Sequence, residues 1–149
     1  MLEKYKNDCL RDLTSFGGSY FYILLIILLL LFKQFRTFKI LLIGFILTYL
    51  IAMLIRIFYF KDRPNKEKYT KFISKIDASS FPSVHSARAI FIAIILSAMF
   101  SNIYVTLFLV FWALIVVYSR IYLRKHYLID VIVGLIIGIL LAILMLKVF

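Results

Sequence analysis

Long apolar runs separated by polar connections dominate the chain. A helix needs about 20 apolar residues to cross a bilayer, with a usable range of about 17–25. Five runs have or approach that length, and they cover residues 16–32, 39–60, 83–100, 103–123 and 127–148. Most of them carry Leu, Ile or Phe on every side, which is typical of helices that face lipid or lie fully buried. The pattern predicts an all-α fold, an integral membrane helical bundle of about five transmembrane helices.

Polar residues precede the first run, and one long polar connection interrupts the bundle. We expect an N-terminal polar segment over residues 1–18 and one transmembrane domain over residues 19–149. The first run is expected to stay in place as a span, because no small-residue cleavage site follows it. Within the connection 61–82, the spacing i, i+3, i+4 and i+7 predicts a short amphipathic helix on the membrane surface or, alternatively, a lid over a site. The residues with this spacing are Tyr69, Phe72, Ile73 and Ile76.

Composition and charge narrow the class of protein. Hydrophobic residues make up 64% of the 149 residues, whereas soluble domains are about 45–50% apolar. This excess excludes an ordinary soluble domain and a disordered basic tail. The net charge is +11, and on so apolar a chain it favours membrane lipids or a phosphate ester over nucleic acid as partners. We therefore expect a multi-pass protein of the cell membrane.

The rare polar residues of the runs gather at one end of the predicted bundle. They lie at the ends of the second and fourth runs and at the starts of the third and fifth, which share one membrane face in an up-and-down bundle. The set comprises Arg56, Arg63, Pro64, Pro82, Ser83, His85, Arg88, Ser119, Arg120, His126 and Asp130. Charged residues inside membrane spans are costly and usually mark function.

The spacing within this set suits phosphate chemistry. His126 and Asp130 are four residues apart, so on one helix the carboxylate would orient the imidazole and raise its basicity. Arg56 and Arg63 are seven apart, two turns on one helix face, and guanidinium groups match phosphate oxygens. A helix that starts at Ser83 offers its backbone amides to an anion. Two histidines allow one nucleophile and one general acid.

Three motifs occur in order along the chain: Arg56-x6-Arg63-Pro64, Pro82-Ser83-Val84-His85 and Ser119-Arg120-x5-His126-x3-Asp130. Together they resemble the pattern of the type 2 phosphatidic acid phosphatase (PAP2) superfamily, which reads Lys-x6-Arg-Pro, Pro-Ser-Gly-His and Ser-Arg-x5-His-x3-Asp. The stretch around Arg88 is similar to polyisoprenoid diphosphate phosphatases, where an arginine follows the histidine by three residues. The resemblance covers residues 56–138 and their helical context.

The resemblance implies a membrane lipid phosphatase that needs no metal or cofactor and works through a phosphohistidine. Its substrate would be a lipid phosphate or diphosphate, such as a polyprenyl diphosphate or phosphatidate. By analogy, His126 would attack phosphorus, Asp130 would orient His126, and His85 would protonate the leaving oxygen. The groups that hold the phosphoryl oxygens would be Arg56, Arg63, Ser83, Arg120 and the backbone amide of Val84.

The chain departs from the family pattern in three ways. Arg56 replaces the family's lysine and keeps its charge. Val84 replaces the glycine. Valine would be strained if the position needs a positive φ or a close backbone approach, but it costs little in the first turn of a helix. Five spans are predicted where membrane members usually have six. Val84 motivates an alternative function, that of a catalytically weakened PAP2-like protein that binds anionic lipid or scaffolds a partner.

Three further points stay open in the sequence. Arg88 would either hold a second phosphate, or extend to the membrane interface or pair inside the bundle. Gly134-x3-Gly138 fits close helix packing, either within the chain or between copies in a homo-oligomer. A small transporter or channel, with the polar cluster lining its path, is a third hypothesis for function.

Overall fold

The computed structural model describes residues 8, 10, 12–65 and 72–149, and every regular element in these residues is helical. A 3-10 turn at Ser15–Gly17 leads into a bundle of helices. We number those with defined bounds α1 (Ser19–Leu31), α2 (Phe35–Phe58), α3 (Phe72–Ala78), α4 (Val84–Phe100), α5 (Ile103–Tyr122) and α6 (Leu128–Val148). The predicted all-α membrane bundle is confirmed, with three helices of spanning length and two shorter apolar helices among the described residues.

The helix lengths refine the predicted spans. Helices α2, α5 and α6 are long and apolar enough to cross a membrane, whereas α1 and α4 are apolar but shorter, with 13 and 17 residues. Helix α1 begins only at Ser19, because Gly18 before it is extended (φ −80°, ψ 165°). Helix α2 begins at Phe35 rather than at residue 39, and its basic first turns are tolerated because long side chains at a helix end reach the interface.

Helix α4 lies at the centre of the bundle. It packs most extensively on α6 and α5 and then on α2, whereas α1 packs on α2. The main core contains Tyr22, Ile26, Leu29, Ile40, Leu41, Phe91, Ile92, Ile95, Leu96, Leu141, Ala142 and Met145. This arrangement places the first turn of α4, which carries the second motif, between the elements that carry the other two.

Two glycines bring α6 close to α4. A Cβ atom added to Gly134 would collide with the carbonyl oxygen of Ser83, and one added to Gly138 would collide with that of Ala87. The small-x3-small pattern is therefore used for packing within the chain. A homo-oligomer remains a prediction that these contacts do not test.

Large apolar side chains cover the outside of the bundle. Leu107, Phe108, Phe111 and Leu114 on α5, and Leu140 on α6, are all more than half exposed. A helix that satisfies its own backbone groups and turns apolar side chains outward is suited to hydrocarbon. The chain is an integral membrane protein.

The connection before α4 holds the predicted short helix. Helix α3 confirms it over Phe72–Ala78, whereas Tyr69 lies outside the described residues. Ile76 is buried at 6% exposure, so the end of α3 packs against the bundle rather than lying free on a membrane surface. This places the residues after α3 beside the helix ends that carry the polar cluster.

Candidate active site

A cavity of about 220 Å³ opens where the end of α2, the start of α4 and the end of α5 meet. Most of the predicted site residues line it: Arg56, Arg63, Val84, His85, Arg88, Arg120 and His126. Ser19, Tyr49 and Asp77 complete the lining. The predicted residues are thus brought together at one end of the bundle, although Ser83 and Asp130, which contact each other there, lie outside the cavity lining.

His126 lies in the turn between α5 and α6 and is 3% exposed. Its Nδ1 is 2.6 Å from the carbonyl oxygen of Ser80. Because a carbonyl only accepts, Nδ1 carries the proton and donates it, which leaves the lone pair on Nε2. Burial, reinforced by the charge of Arg120, lowers the pKa of His126 to about 3. The imidazole is therefore neutral at physiological pH, as a nucleophile must be.

Asp130 does not orient His126 in the way that the i, i+4 spacing predicts, and this expectation is corrected. Helix α6 begins at Leu128, so His126 is not on the same helix. The Asp130 carboxylate caps that helix instead, because its Oδ2 accepts a 2.9 Å hydrogen bond from the backbone N–H of Tyr127. Its other oxygen, Oδ1, lies 2.6 Å from the ammonium group of Lys61. Its negative charge still acts on His126 through space, where it opposes the lowering of the imidazole pKa.

Lys61 is a site neighbour that the sequence analysis missed. Its ammonium group also lies 4.5 Å from the ring centroid of Tyr127, within range of a cation–π contact. Lys61 is one of many lysines in the chain, and only its position opposite the fully buried Asp130 sets it apart. The carbonyl of Ser80 was missed as well, since a backbone acceptor has no side-chain signature.

Arg56 and Arg63 reach the cavity from different elements. Helix α2 ends at Phe58, and Tyr59 is extended, so the expected single helix face for both arginines is wrong. The chain turns because residues 59–61 lie against the segment before α4, with the Ser80 N–H donating to the Lys61 carbonyl at 2.8 Å. Arg56 Nη2 donates to the carbonyl of Pro82 at 3.1 Å, and Arg63 Nη2 donates to that of Asp77 at 2.7 Å.

Ser83 and Val84 start helix α4. The Ser83 hydroxyl caps the helix, accepting from the Ser86 N–H at 3.4 Å and lying 2.9 Å from the Ser86 hydroxyl. Fully buried and engaged in the cap, Ser83 lies behind the cavity rather than in its lining. Val84 is the first helical residue and does not have a positive φ. Its backbone is therefore unstrained by the loss of the family's glycine.

Arg88 on α4 and Arg120 on α5 both line the cavity. Arg88 is 3% exposed and donates to the hydroxyls of Ser19 at 2.8 Å and Thr48 at 3.4 Å. Its guanidinium lies 4.2 Å from the ring centroid of Phe45. Arg120 Nη1 donates to the hydroxyl of Thr14 at 3.0 Å. Arg88 thus pairs inside the bundle while bordering the cavity.

The cavity lining does not contain a cluster of metal ligands. Among the described residues, no three or more His, Cys, Asp or Glu side chains come together as a metal site requires. The charged side chains around the cavity are mainly arginines, which suit a phosphate group.

Comparison with known proteins identifies the family. The model of the PAP2 superfamily matches residues 37–149. The chain therefore belongs to the PAP2 superfamily, as the three motifs predicted. No curated protein sequence matches closely enough to count as a relative.

Two solved structures share the fold. The crystal structure of LpxE from Aquifex aeolicus superposes with a TM-score of 0.80 at 27% identity, covering 96% of this chain and 86% of that one. The crystal structure described as the first transmembrane PAP2 type phosphatidylglycerolphosphate phosphatase, from Bacillus subtilis, gives a TM-score of 0.79 at 24% identity. It covers 96% of this chain and 76% of that one. The second structure shares the fold, while the family and the likeness to LpxE support a membrane phosphatase.

Proposed function

We propose that the protein is a metal-independent membrane lipid phosphatase that works through a phosphohistidine at His126. The observation that carries the proposal is the state of that imidazole. Its Nδ1 is engaged by the Ser80 carbonyl at 2.6 Å, so Nε2 keeps its lone pair, and the ring borders a cavity ringed by arginines. A neutral nucleophile beside a cationic phosphate site is the arrangement that phosphoryl transfer to histidine requires.

The reaction has two steps. Nε2 of His126 attacks phosphorus while the bond from phosphorus to the lipid oxygen breaks, and His85 donates a proton to that oxygen. A water molecule then attacks the phosphohistidine, His85 takes its proton, and the P–N bond breaks to release inorganic phosphate. The net reaction consumes one water molecule and yields the lipid alcohol, or the monophosphate when the substrate is a diphosphate.

The arginines supply most of the transition-state stabilisation in this proposal. Charge in phosphoryl transfer spreads over the three equatorial oxygens, so fixed cations aimed at them lower the barrier without reorganising. Arg56 and Arg63 are each anchored to a backbone carbonyl, which fixes the guanidinium group in place. Arg120 reaches the cavity from α5. Val84, the first residue of α4, also lines the cavity and would offer its backbone N–H to the phosphate. Arg88 borders the space that a second phosphate would occupy.

A lipid phosphate or diphosphate fits the position of the cavity. It lies at the ends of apolar helices, where a lipid held in the bilayer presents its headgroup. The related phosphatidylglycerolphosphate phosphatase is named for such a substrate. A polyprenyl diphosphate, phosphatidate or a related lipid would reach the cavity from the membrane, and the cell membrane is the proposed location.

A catalytically weakened lipid-binding protein is the alternative that Val84 suggested. Its basis was strain from a positive φ or from a close backbone approach at this position, and Val84, the first residue of helix α4, does not have a positive φ. The ordinary helical backbone at Val84 thus favours the active phosphatase.

The test is phosphate release by protein purified in detergent, with EDTA present. The substrates are farnesyl diphosphate, undecaprenyl diphosphate, phosphatidate and phosphatidylglycerol phosphate. We expect release from at least one of them, loss of release in His126→Ala, and inhibition by vanadate. Folded protein that releases no phosphate from any of them would refute the proposal and favour the lipid-binding alternative. Ion flux across liposomes without phosphate release would favour a transporter.

A further inference from the structure

A short segment before α1 lies against residues that line the cavity. We call residues 12–19 the strap. Residues 12–14 are helical, the 3-10 turn Ser15–Gly17 follows, and Ser19 opens helix α1. The strap lies outside residues 37–149, which the family model matches. Its contacts with the site are therefore features of this chain that the family pattern does not describe.

One strap hydroxyl holds a phosphate-site arginine. The Thr14 hydroxyl accepts a 3.0 Å hydrogen bond from Nη1 of Arg120. Arg120 is 7% exposed and lines the cavity. A charged donor paired with a hydroxyl makes one of the stronger hydrogen bonds in a protein, so this contact restricts where the guanidinium group can point.

A second strap hydroxyl holds Arg88, another buried arginine of the cavity. The Ser19 hydroxyl accepts from Nη1 of Arg88 at 2.8 Å, and Ser19 itself lines the cavity. The two hydroxyls lie five residues apart and bind arginines on different helices, α5 and α4. The strap thus fixes two guanidinium groups relative to each other.

The residues between Thr14 and Ser19 pack against the bundle and keep the strap in place. Gly17 lies so close to the cavity wall that an added Cβ would be 2.9 Å from Val116 Cγ1 and 3.0 Å from the His85 carbonyl oxygen. The Phe16 ring contacts Trp112 edge to face, with 4.8 Å between centroids. The strap is therefore seated on the backbone of His85 and on α5.

We propose that the strap is a working part of the phosphate site and that Thr14 and Ser19 are positioning residues, which hold Arg120 and Arg88 for an incoming phosphate. The inference rests on the proposed function, since it assigns partners to the arginines of that site. It extends the site to residues that none of the three motifs contains. Binding of a phosphate analogue should therefore depend on hydroxyl groups in the strap.

The experiment measures two quantities on each purified variant. One is the Kd for orthovanadate, from ligand-dependent thermal unfolding, and the other is kcat/KM for the best lipid phosphate. Thr14→Val keeps the shape of the side chain and removes the acceptor, while Thr14→Ser keeps the hydroxyl. Ser19→Ala is the second test variant. Thr106→Val is the matched control, because the Thr106 hydroxyl donates to the Asn102 carbonyl at the start of α5, whereas the cavity lies at the end of that helix.

We expect Thr14→Val to weaken orthovanadate binding and to lower kcat/KM, each by about tenfold, as loss of a hydrogen bond to a charged group does. Ser19→Ala should weaken binding in the same direction. Thr14→Ser should stay within about twofold of wild type, because it retains the acceptor that Arg120 uses. Thr106→Val should also stay within about twofold, because it leaves the strap contacts in place. The unfolding temperature without ligand should be similar for Thr14→Val and Thr14→Ser.

Vanadate binding separates this inference from the proposed function. If wild-type protein binds vanadate but releases no phosphate, the proposed phosphatase function is refuted. The Kd values of the variants then still test whether the strap positions the arginines. Equal Kd values for wild type, Thr14→Val and Ser19→Ala would overturn the strap proposal whatever the activity. Wild-type protein that does not bind vanadate would overturn it as well.

Discussion

The ammonium group of Lys61 lies 2.6 Å from the carboxylate of Asp130, and this ion pair joins the segment after α2 to the start of α6. Asp130 is fully buried, while the Lys61 side chain is 24% exposed. The pair therefore sits at the edge of the site, where water screens it only in part. It fixes the first turn of α6 and, through it, the turn that carries His126.

Removal of the lysine charge tests that role. Lys61→Met should destabilise the protein by about 1–3 kcal/mol, because it leaves a buried carboxylate without its cation. Lys61→Arg should restore most of the loss, since it keeps the charge. Thermal unfolding in detergent measures both variants, and Lys147→Met, at an exposed position on α6, is the matched control. If Lys61→Met unfolds like Lys147→Met, the ion pair does not stabilise the fold.

The packing of α6 on α4 gives a second prediction. Gly138→Ala places a methyl group against the carbonyl oxygen of Ala87, and such overpacking costs about 1–3 kcal/mol. Leu140→Ala, at a position that is 62% exposed toward lipid, is the control and should change stability little. Both variants are compared by unfolding temperature. A stable Gly138→Ala would mean that the two helices can separate without cost.

Val84→Gly tests the departure from the family pattern. Because Val84 is an ordinary helical residue, glycine there should not raise kcat, and it should lower stability by about 0.5–1 kcal/mol through greater chain entropy. Phosphate release and thermal unfolding are the measurements. A large gain in kcat with Val84→Gly would contradict the structure and support a weakened enzyme.

The buried state of His126 predicts how stability depends on pH. Its pKa is lowered from 6.5 to about 3 in the folded protein, so between these values the unfolded chain binds more protons. Stability should therefore fall as the pH is lowered through this window. His126→Asn, which cannot titrate, should show a flatter curve from about pH 7 to about pH 4 in thermal unfolding. Parallel curves for both proteins would show that His126 is not held neutral by burial.

The sequence predicted the bundle well because apolar runs of membrane length leave few alternatives to a helix. It placed the helix ends less well. Helix α6 starts at Leu128 because Asp130 caps it, and α2 ends at Phe58 because the next residues lie along the segment before α4. The start of α6 depends on a side-chain cap three residues away, which the i, i+4 spacing does not reveal. The end of α2 depends on contacts between distant parts of the chain, such as that of Ser80 with Lys61.

The candidate site was predicted to a similar extent. Motif residues such as Arg63 and His85 were found because rare polar types stand out among apolar ones. The groups that hold them were missed, since Ser80 acts through its backbone and Thr14 meets Arg120 across 106 positions of sequence. Tyr49, which also lines the cavity, could have been found from the sequence, because it lies two helical turns before Arg56 on the same helix face.

The most direct test of the account is to look for the phosphoryl group on the enzyme. Purified protein is mixed with its best lipid phosphate, quenched during turnover at alkaline pH, digested and analysed by mass spectrometry. The account predicts phosphohistidine at His126 and none in His126→Ala. Turnover without a phosphoryl group at His126, together with undiminished phosphate release by His126→Ala, would contradict it.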